Sequence, residues 1–522
     1  MCAQCREREA VVFIRRSVGS STGDSALCEE CARSRGIAVG KGSLELSLGD
    51  LIAAGSEASA HPSRSLACPS CGLELAALRR DGRLGCASCA DAFNLDLRRI
   101  LGPRLRAAAK EERRYAASGF RARRPYADGM ERRLEAALSS EDYEAAAALR
   151  DRLAGLPERD TPESPYVSPD FLLDPEFLID EAASDADIVL WTSASARRNA
   201  EHFPFPGASG PGKDPGPVGA ELFKESEGWR VWQMPELGAC ARRSLAERGF
   251  LPRGYAAMDE ALLAAKVADA TYALLGETDH LRSVALRPGF DPEGALGAAL
   301  GVVDLVGRSL GFASRPEIGW ICSRVDDCGR GSSLSALLHL PALSAAGLID
   351  RLFKALMADG AAIRGSYSGA EGSGGSLYEI GIESSAPVED PVEALEAAVR
   401  TAVAAERRAA ADIADRRGLA LADAEGRAFG LLRHCRLLGA DEAASAISSL
   451  RLAALRGALK GSSAAALARL LVSLGPGSLA LAASMRELPA AEAQDELRAR
   501  IVKEALKDAE YRPEEASRCS RD

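Results

Sequence analysis

Eight of the chain's thirteen cysteines form four Cys-x-x-Cys pairs near its start: Cys2/Cys5, Cys28/Cys31, Cys68/Cys71 and Cys86/Cys89. No other feature constrains the fold as strongly. A two-residue spacer lets both thiolates of a pair face one ion, and two pairs supply the four sulfurs of a closed tetrahedral zinc site. The N-terminus MCAQCREREA carries charges where a signal peptide has its apolar core, and no stretch reaches the roughly 20 apolar residues that span a bilayer. The chain is therefore expected to be cytoplasmic and free of membrane, where reduced thiols favour metal knuckles over disulfides. Two structural zinc ions are expected. The gaps favour pairing 2/5 with 28/31 and 68/71 with 86/89, and an interleaved arrangement is the alternative. Redox motifs or incidental cysteines are the competing reading, which four such pairs without a βαβ context disfavour.

At 522 residues the chain has room for three or four domains. Its 5% aromatic content points to Ala/Leu-rich helices rather than a large β-sandwich. A net charge of −10 argues against bulk nucleic-acid affinity. One stretch, 98–133, is locally basic. It reads as a solvated helix surface or a dock for an acidic partner. Nucleic acid comes third, because only Tyr115, Phe120 and Tyr126 interleave the basic residues.

Further along, 130–155 places Leu134, Leu138, Ala145, Ala148 and Leu149 at helical spacing, with Ser139 and Ser140 ahead of Glu141 and Asp142. This suits an antiparallel helical hairpin. Residues 156–176 carry five prolines and predict an extended linker, and FPFPGASGPGKDPGPVGAE (203–221) predicts an irregular flap. Helical patterns run from Leu237 to Ala273, and 297–310 is an apolar run. GWICSRVDDCGRGSSLSALLHL (319–340) reads as a strand, a glycine-rich turn and an apolar helix, with His339 a hydrogen-bonded core residue on that helix. A second glycine-rich segment (363–383) ends in an alternating strand, and 391–508 is almost wholly helical with a break at 475–478.

Residues 1–155 resemble the McsA family of zinc-binding kinase activators, in the order of the four Cys pairs, the stretch GRLGCASCADAF (82–93) and a terminal hairpin like the UVR motif of excision-repair proteins. DIVLWTSASARRNAEHFPFP (187–206), GETDHLR (276–282), residues 319–343, IRGSYSGAEGSGGSLYEI (363–380) and GRAFGLLRHCRLL (426–438) resemble the McsB branch of the guanido-kinase family, the protein arginine kinases. The resemblance implies a multidomain α+β chain: two zinc modules in 1–95, a basic helical segment with the hairpin in 96–155, a linker at 156–186, a guanido-kinase-like antiparallel sheet flanked by helices in 187–400, and a helical C-terminal domain in 401–522. It also implies protein partners, such as a kinase, a Clp-type chaperone or a transcriptional repressor of the stress response, and a possible homodimer.

Phosphoryl transfer to a guanidinium group needs cations around the phosphates, magnesium, and carboxylates that orient the acceptor. The family's Ser-x-Arg-x-Arg places both arginines where this chain has Ser193 and Ser195. Its Cys-Pro-Thr-Asn-x-Gly-Thr falls on Arg324 to Arg330, and a following arginine is Ser333. Arg282 and Arg364 are retained. Glu277, Asp279 and His280 keep most of the acidic motif, with Glu277 and Asp279 as the catalytic candidates if the site is active. Gly369 stands where the second carboxylate belongs unless Glu371 slides into place. Arg197, Arg198, Arg324 and Arg330 lie close enough to relocate lost charge. The expectation is a regulatory, catalytically impaired kinase-like protein with Arg282, Arg364, Arg324 and Arg330 as ligand or phosphate contacts. The alternative is an active Mg-ATP-dependent protein arginine kinase with its activator in cis. Glu277, Asp279, His280 and Arg282 have a bland reading as a buried ion-pair network, and Cys240, Cys322, Cys328, Cys435 and Cys519 as packing residues or plain thiols.

Overall fold

The computed structural model describes residues 66–102, 179–183, 185–206, 216–251, 260–266, 270–365 and 374–515, with strand backbone at 12–18 and 21–27 and scattered positions between 134 and 150. It divides into two units, Met1–Arg83 and Leu84–Asp522.

In the first unit, β1 (Val12–Val18) pairs with β2 (Ser21–Leu27) in an antiparallel hairpin. Helix α1 (Leu75–Asp81) stops at Gly82, whose left-handed conformation lets its N–H reach the Leu78 carbonyl. Cys2, Cys5, Cys28 and Cys31 lie outside the described residues.

The second unit opens with α2 (Cys89–Ala92) and α3 (Asn94–Leu101), which buries Leu97 and Leu101. Within 130–155, Ala137 and Ala146 are buried with Leu134 packed against them. Leu138, expected in the apolar stripe, is 51% exposed; the smaller Ala137 takes the inward position.

Eight strands form the main sheet. In chain order they are β3 (Val189–Arg198), β4 (Trp229–Gln233), β5 (Leu262–Lys266), β6 (Thr271–Leu275) and β7 (Leu281–Pro288), then, after a short hairpin of β8 (Ser314–Arg315) and β9 (Gly319–Trp320), β10 (Ser332–His339), β11 (Ala362–Gly365) and β12 (Leu377–Ile382). Their spatial order is β11-β12-β10-β3-β7-β6-β5-β4, antiparallel throughout. This is the sheet expected from the resemblance.

Two stretches read as helical are strands. Among the described residues of 237–273, only 238–247 are α-helix, while 262–266 and 271–275 are β5 and β6. Residues 332–339 form β10, so His339 sits on a strand, although it is a buried, hydrogen-bonded core residue as expected. These strands are covered on both faces, which removes the alternation that marks a half-solvated strand.

The helices that cover the sheet are α4 (Gly216–Lys224), α5 (Gly238–Glu247), α6 (Pro292–Gly307), α7 (Pro341–Ala346), α8 (Ile349–Ala358), α9 (Pro391–His434), α10 (Ala440–Leu455), α11 (Ala464–Leu471), α12 (Pro476–Ala482) and α13 (Ala491–Ala505). On one face Ala194, Ala196, Ala285, Leu334 and Ala336 join the core of α6 and the first half of α9. On the other, Tyr272, Leu274, Val284 and Leu337 join a core built with α5, α10, α11 and α13. Asp291 caps α6 by accepting the Gly294 N–H, and Asp390 caps α9 by accepting from Val392 and Glu393, each followed by proline in the first turn. The break expected at 475–478 is the start of α12, with Gly475 at its N-cap. Helix α9 runs unbroken through residues 400 and 401 and departs from helical geometry at Arg417 (φ −133°, ψ 27°).

Candidate functional site

The zinc-type cluster is assembled from two tight turns. After Cys68, the Gly72 N–H returns to the Cys68 carbonyl at 2.9 Å, and Gly72 takes φ 75°. The Cys89 N–H returns to the Cys86 carbonyl at 3.2 Å. The Cys86 and Cys89 sulfurs are 3.9 Å apart, and the Sγ atoms of Cys68, Cys71, Cys86 and Cys89 all lie within 4.8 Å of one another. A disulfide needs about 2.05 Å. Thiolates about 2.3 Å from a shared tetrahedral ion stand about 3.8 Å apart, so these four fit zinc. The pairing of 68/71 with 86/89 is the sequential one.

The second constellation lies at one end of the sheet. Antiparallel register puts Arg197 opposite Arg282, Ser195 opposite Val284 and Ser333, and Ser193 opposite Ser335. Directly opposed residues share a face. Arg282 donates from Nε to Ser195 Oγ at 3.5 Å. Burial and the nearby Arg197 charge both lower its pKa.

Arg197 sits among carboxylates, with Nη1 3.3 Å from Asp327 and Nε 3.9 Å from Asp279. Burial opposes its charge, but Asp327, Asp279 and Glu277 outweigh burial and raise its pKa. Arg364 pairs with Glu383, and its Nη1 lies 3.6 Å from Glu379 across the β11–β12 ladder. Those two carboxylates raise its pKa. Thr278 donates its hydroxyl to Glu277.

Arg198, Arg330 and Arg324 are held in three different ways. Arg198 is 1% exposed, stacks 4.2 Å from the centroid of the Trp320 ring, and donates to the carbonyls of Arg197 and Gly331. Arg330 is buried and donates to the carbonyls of Val388 and Ala386. Arg324 is exposed, 3.7 Å from Asp326. Glu371 and Gly369 lie outside the described residues.

Asp279 is fully buried and organises the loop that follows β9. Its Oδ1 accepts from Asn199 Nδ2 at 2.5 Å and from the Ser323 N–H at 2.7 Å, and its Oδ2 has no hydrogen-bond partner among the described residues. Burial and the Asp327 charge push its pKa up to about 6, against the pull of the Ser323 N–H and Arg197. Asn199 Oδ1 in turn accepts the His280 N–H at 2.9 Å. His280 Nδ1 accepts the Ala200 N–H at 3.1 Å, so its proton resides on Nε2, which donates to the Pro204 carbonyl at 2.9 Å. Asn199 and Ser323 are members the sequence reading missed. The asparagine directly after Arg197-Arg198 was the one available signal; a backbone N–H such as that of Ser323 leaves none. Of the remaining cysteines, Cys240, Cys322 and Cys328 are buried, Cys435 is half-buried, and Cys519 lies outside the described residues.

These two constellations have recognisable relatives. Residues 66–107 match the McsA central zinc-finger domain and 127–157 the UvrB/uvrC motif. Residues 218–409 match the C-terminal catalytic domain of ATP:guanido phosphotransferases, and 418–517 the C-terminal domain of the protein-arginine kinase McsB. Along the chain, matches to a McsA-type zinc finger and a UVR motif thus precede matches to two domains of the arginine-kinase-like class. More particularly, the chain is 28% identical over 336 residues to the protein-arginine kinase of Shouchella clausii, covering 62% of this chain and 93% of that protein. It is also 28% identical over 341 residues to that of Geobacillus thermodenitrificans, covering 63% and 93%. Among solved structures, the duplicated taurocyamine kinase from Schistosoma mansoni with bound transition-state-analogue components aligns at 15% identity with a TM-score of 0.40, covering 61% of this chain and 39% of that one. Among the described residues no single helix is long and apolar enough to cross a membrane.

Proposed function

We propose that this chain is a cytoplasmic regulator built on a protein-arginine-kinase scaffold, impaired in phosphoryl transfer and governed by the zinc module it carries in cis. The observation that supports it is a charge deficit. Arg197, Arg282 and Arg364 carry their charges among those of Glu277, Asp279, Asp327, Glu379 and Glu383, while Ser193, Ser195 and Ser333 occupy places where the family pattern has arginines. A triphosphate needs fixed positive charge as its terminal group leaves. Each lost charge-assisted contact is worth roughly 1.5–3 kcal/mol, so three such losses weaken a nucleotide complex by orders of magnitude even when they are not additive. Of the guanidiniums that remain, Arg197 and Arg364 are paired with carboxylates, a poor fit for magnesium nucleotide.

In this reading the protein acts in bacterial stress response and protein quality control by binding proteins: a kinase, a Clp-type chaperone, a repressor, or clients bearing phosphoarginine. A homodimer is compatible with it. The second reading, an active protein arginine kinase using Mg-ATP, draws support from the names of the relatives and from Arg197, which supplies a guanidinium beside Glu277 and Asp327. Incubation of the full chain with radiolabelled ATP, magnesium and an arginine-rich protein separates the two. The regulator reading expects no label above background; acid-labile label that disappears in Glu277→Ala establishes the kinase instead.

A further inference from the structure

Residues 84–98, which carry the second cysteine knuckle, are bonded directly to the segments that frame Asp279. The Leu84 N–H donates to the Ser323 carbonyl at 2.8 Å, and the Phe205 N–H donates to the Gly85 carbonyl at 2.9 Å. Cys86 and Pro204 form an isolated antiparallel bridge. Arg315 binds both carboxylate oxygens of Asp91 at 2.7 Å and reaches Glu201 at 3.0 Å, while Arg98 donates to Glu317 at 2.9 Å.

The partners of this strip are not scattered. Ser323 receives Leu84 at its carbonyl and gives its own N–H to Asp279. Pro204 accepts the His280 ring proton, and the next residue, Phe205, binds Gly85. Arg315 ends β8 and Glu317 lies in the turn of the β8–β9 hairpin, whose second strand leads into the loop 321–331. Each exposed ion pair alone contributes little. A bidentate pair combined with backbone bonds on both sides of a buried carboxylate defines a geometry.

We infer that residues 84–98 are an intramolecular clasp that fixes the loop 321–331 against Asp279, so that metal occupancy at Cys86 and Cys89 sets how firmly that loop is held. Arg315 is a positioning residue in this arrangement. The inference deepens the reading that the zinc module governs the kinase-like region in cis, but its test does not depend on phosphoryl transfer. Loss of the clasp and loss of that reading are therefore distinguishable.

Hydrogen–deuterium exchange on the full chain tests it. In Arg315→Ala at unchanged zinc content, peptides covering 318–331 and 199–205 exchange at least about fivefold faster, Arg315→Lys is intermediate, and peptides of β5 and β6 are unchanged. Chelating the metal produces the same local acceleration. Unchanged exchange at 318–331 in Arg315→Ala overturns the clasp, as does chelation that frees 84–98 without affecting that loop. Should chelation unfold the whole chain, the Arg315 variants decide the question alone.

Discussion

Ser195 and Ser333 face each other across β3 and β10, on the face where Arg282 reaches toward Ser195 Oγ. In the proposed reading these two hydroxyls stand in place of guanidinium groups that would concentrate positive charge. Restoring that charge gives the most direct test of the deficit. In Ser193→Arg/Ser195→Arg with Asp327→Asn, magnesium-ATP affinity measured by calorimetry rises by about tenfold or more over the parent chain. No gain in the triple variant counts against the proposed charge deficit.

Asp279 makes a pH prediction with a defined sign. Its folded pKa of about 6 lies above the ordinary 3.8, so between those values the folded chain binds more protons than the unfolded one, and this group's contribution to stability falls as pH rises. Asp279→Asn removes the dependence. The parent gains roughly 1–2 kcal/mol relative to that variant as pH falls from 7 to 4.5, read by urea denaturation at several pH values. His339 works in the opposite direction, because burial and Arg451 hold its pKa well below the ordinary range; the comparison between parent and variant cancels that contribution.

Arg451 anchors a buried network. It donates to the carbonyls of Ala464, Asp187 and Ala186 and to His339 Nδ1, while His339 Nε2 donates to Ser448 Oγ. Arg451→Met leaves those acceptors without their donor and destabilises the chain by about 3 kcal/mol or more, seen as a lower urea midpoint.

Gly331 closes the loop held by Asp279 and adopts φ 63°. A Cβ there would stand 2.5 Å from Arg198 Nη1 and 2.9 Å from Trp320 Cβ. Gly331→Ala therefore costs about 2–3 kcal/mol and separates Arg198 from the Trp320 face. A drop in Tm with an altered tryptophan emission spectrum is the expected result.

Metal content is checked by elemental analysis. Two zinc ions per chain are expected, with Cys86→Ser and Cys28→Ser each losing about one equivalent. Cys86→Ser also lowers Tm, because the four-thiol cluster loses the ion that holds its two turns together.

The cysteine spacing was sufficient to place the cluster at Cys68, Cys71, Cys86 and Cys89, because two-residue spacers encode the geometry locally. The sheet was harder to read. LLAAK and TYALL are good helix formers by composition, yet they lie in β5 and β6, where only small or apolar side chains fit between layers of helix. Likewise SSLSALLH carries no signal against helix until β3 and β12 are available to pair with it. Arg197 and Arg198 are adjacent and chemically alike, but strand alternation sends one toward Asp327 and the other beneath Trp320. That parity depends on where β3 starts, which the motif itself does not state.

Helix α9 spans 44 residues in two helical stretches that meet at the irregular backbone of Arg417. Its first half is rooted in the core beneath the sheet and its far end, at Leu432, in the helices beyond. One covalent element, bent at Arg417, therefore ties together the two cores that the sheet keeps apart.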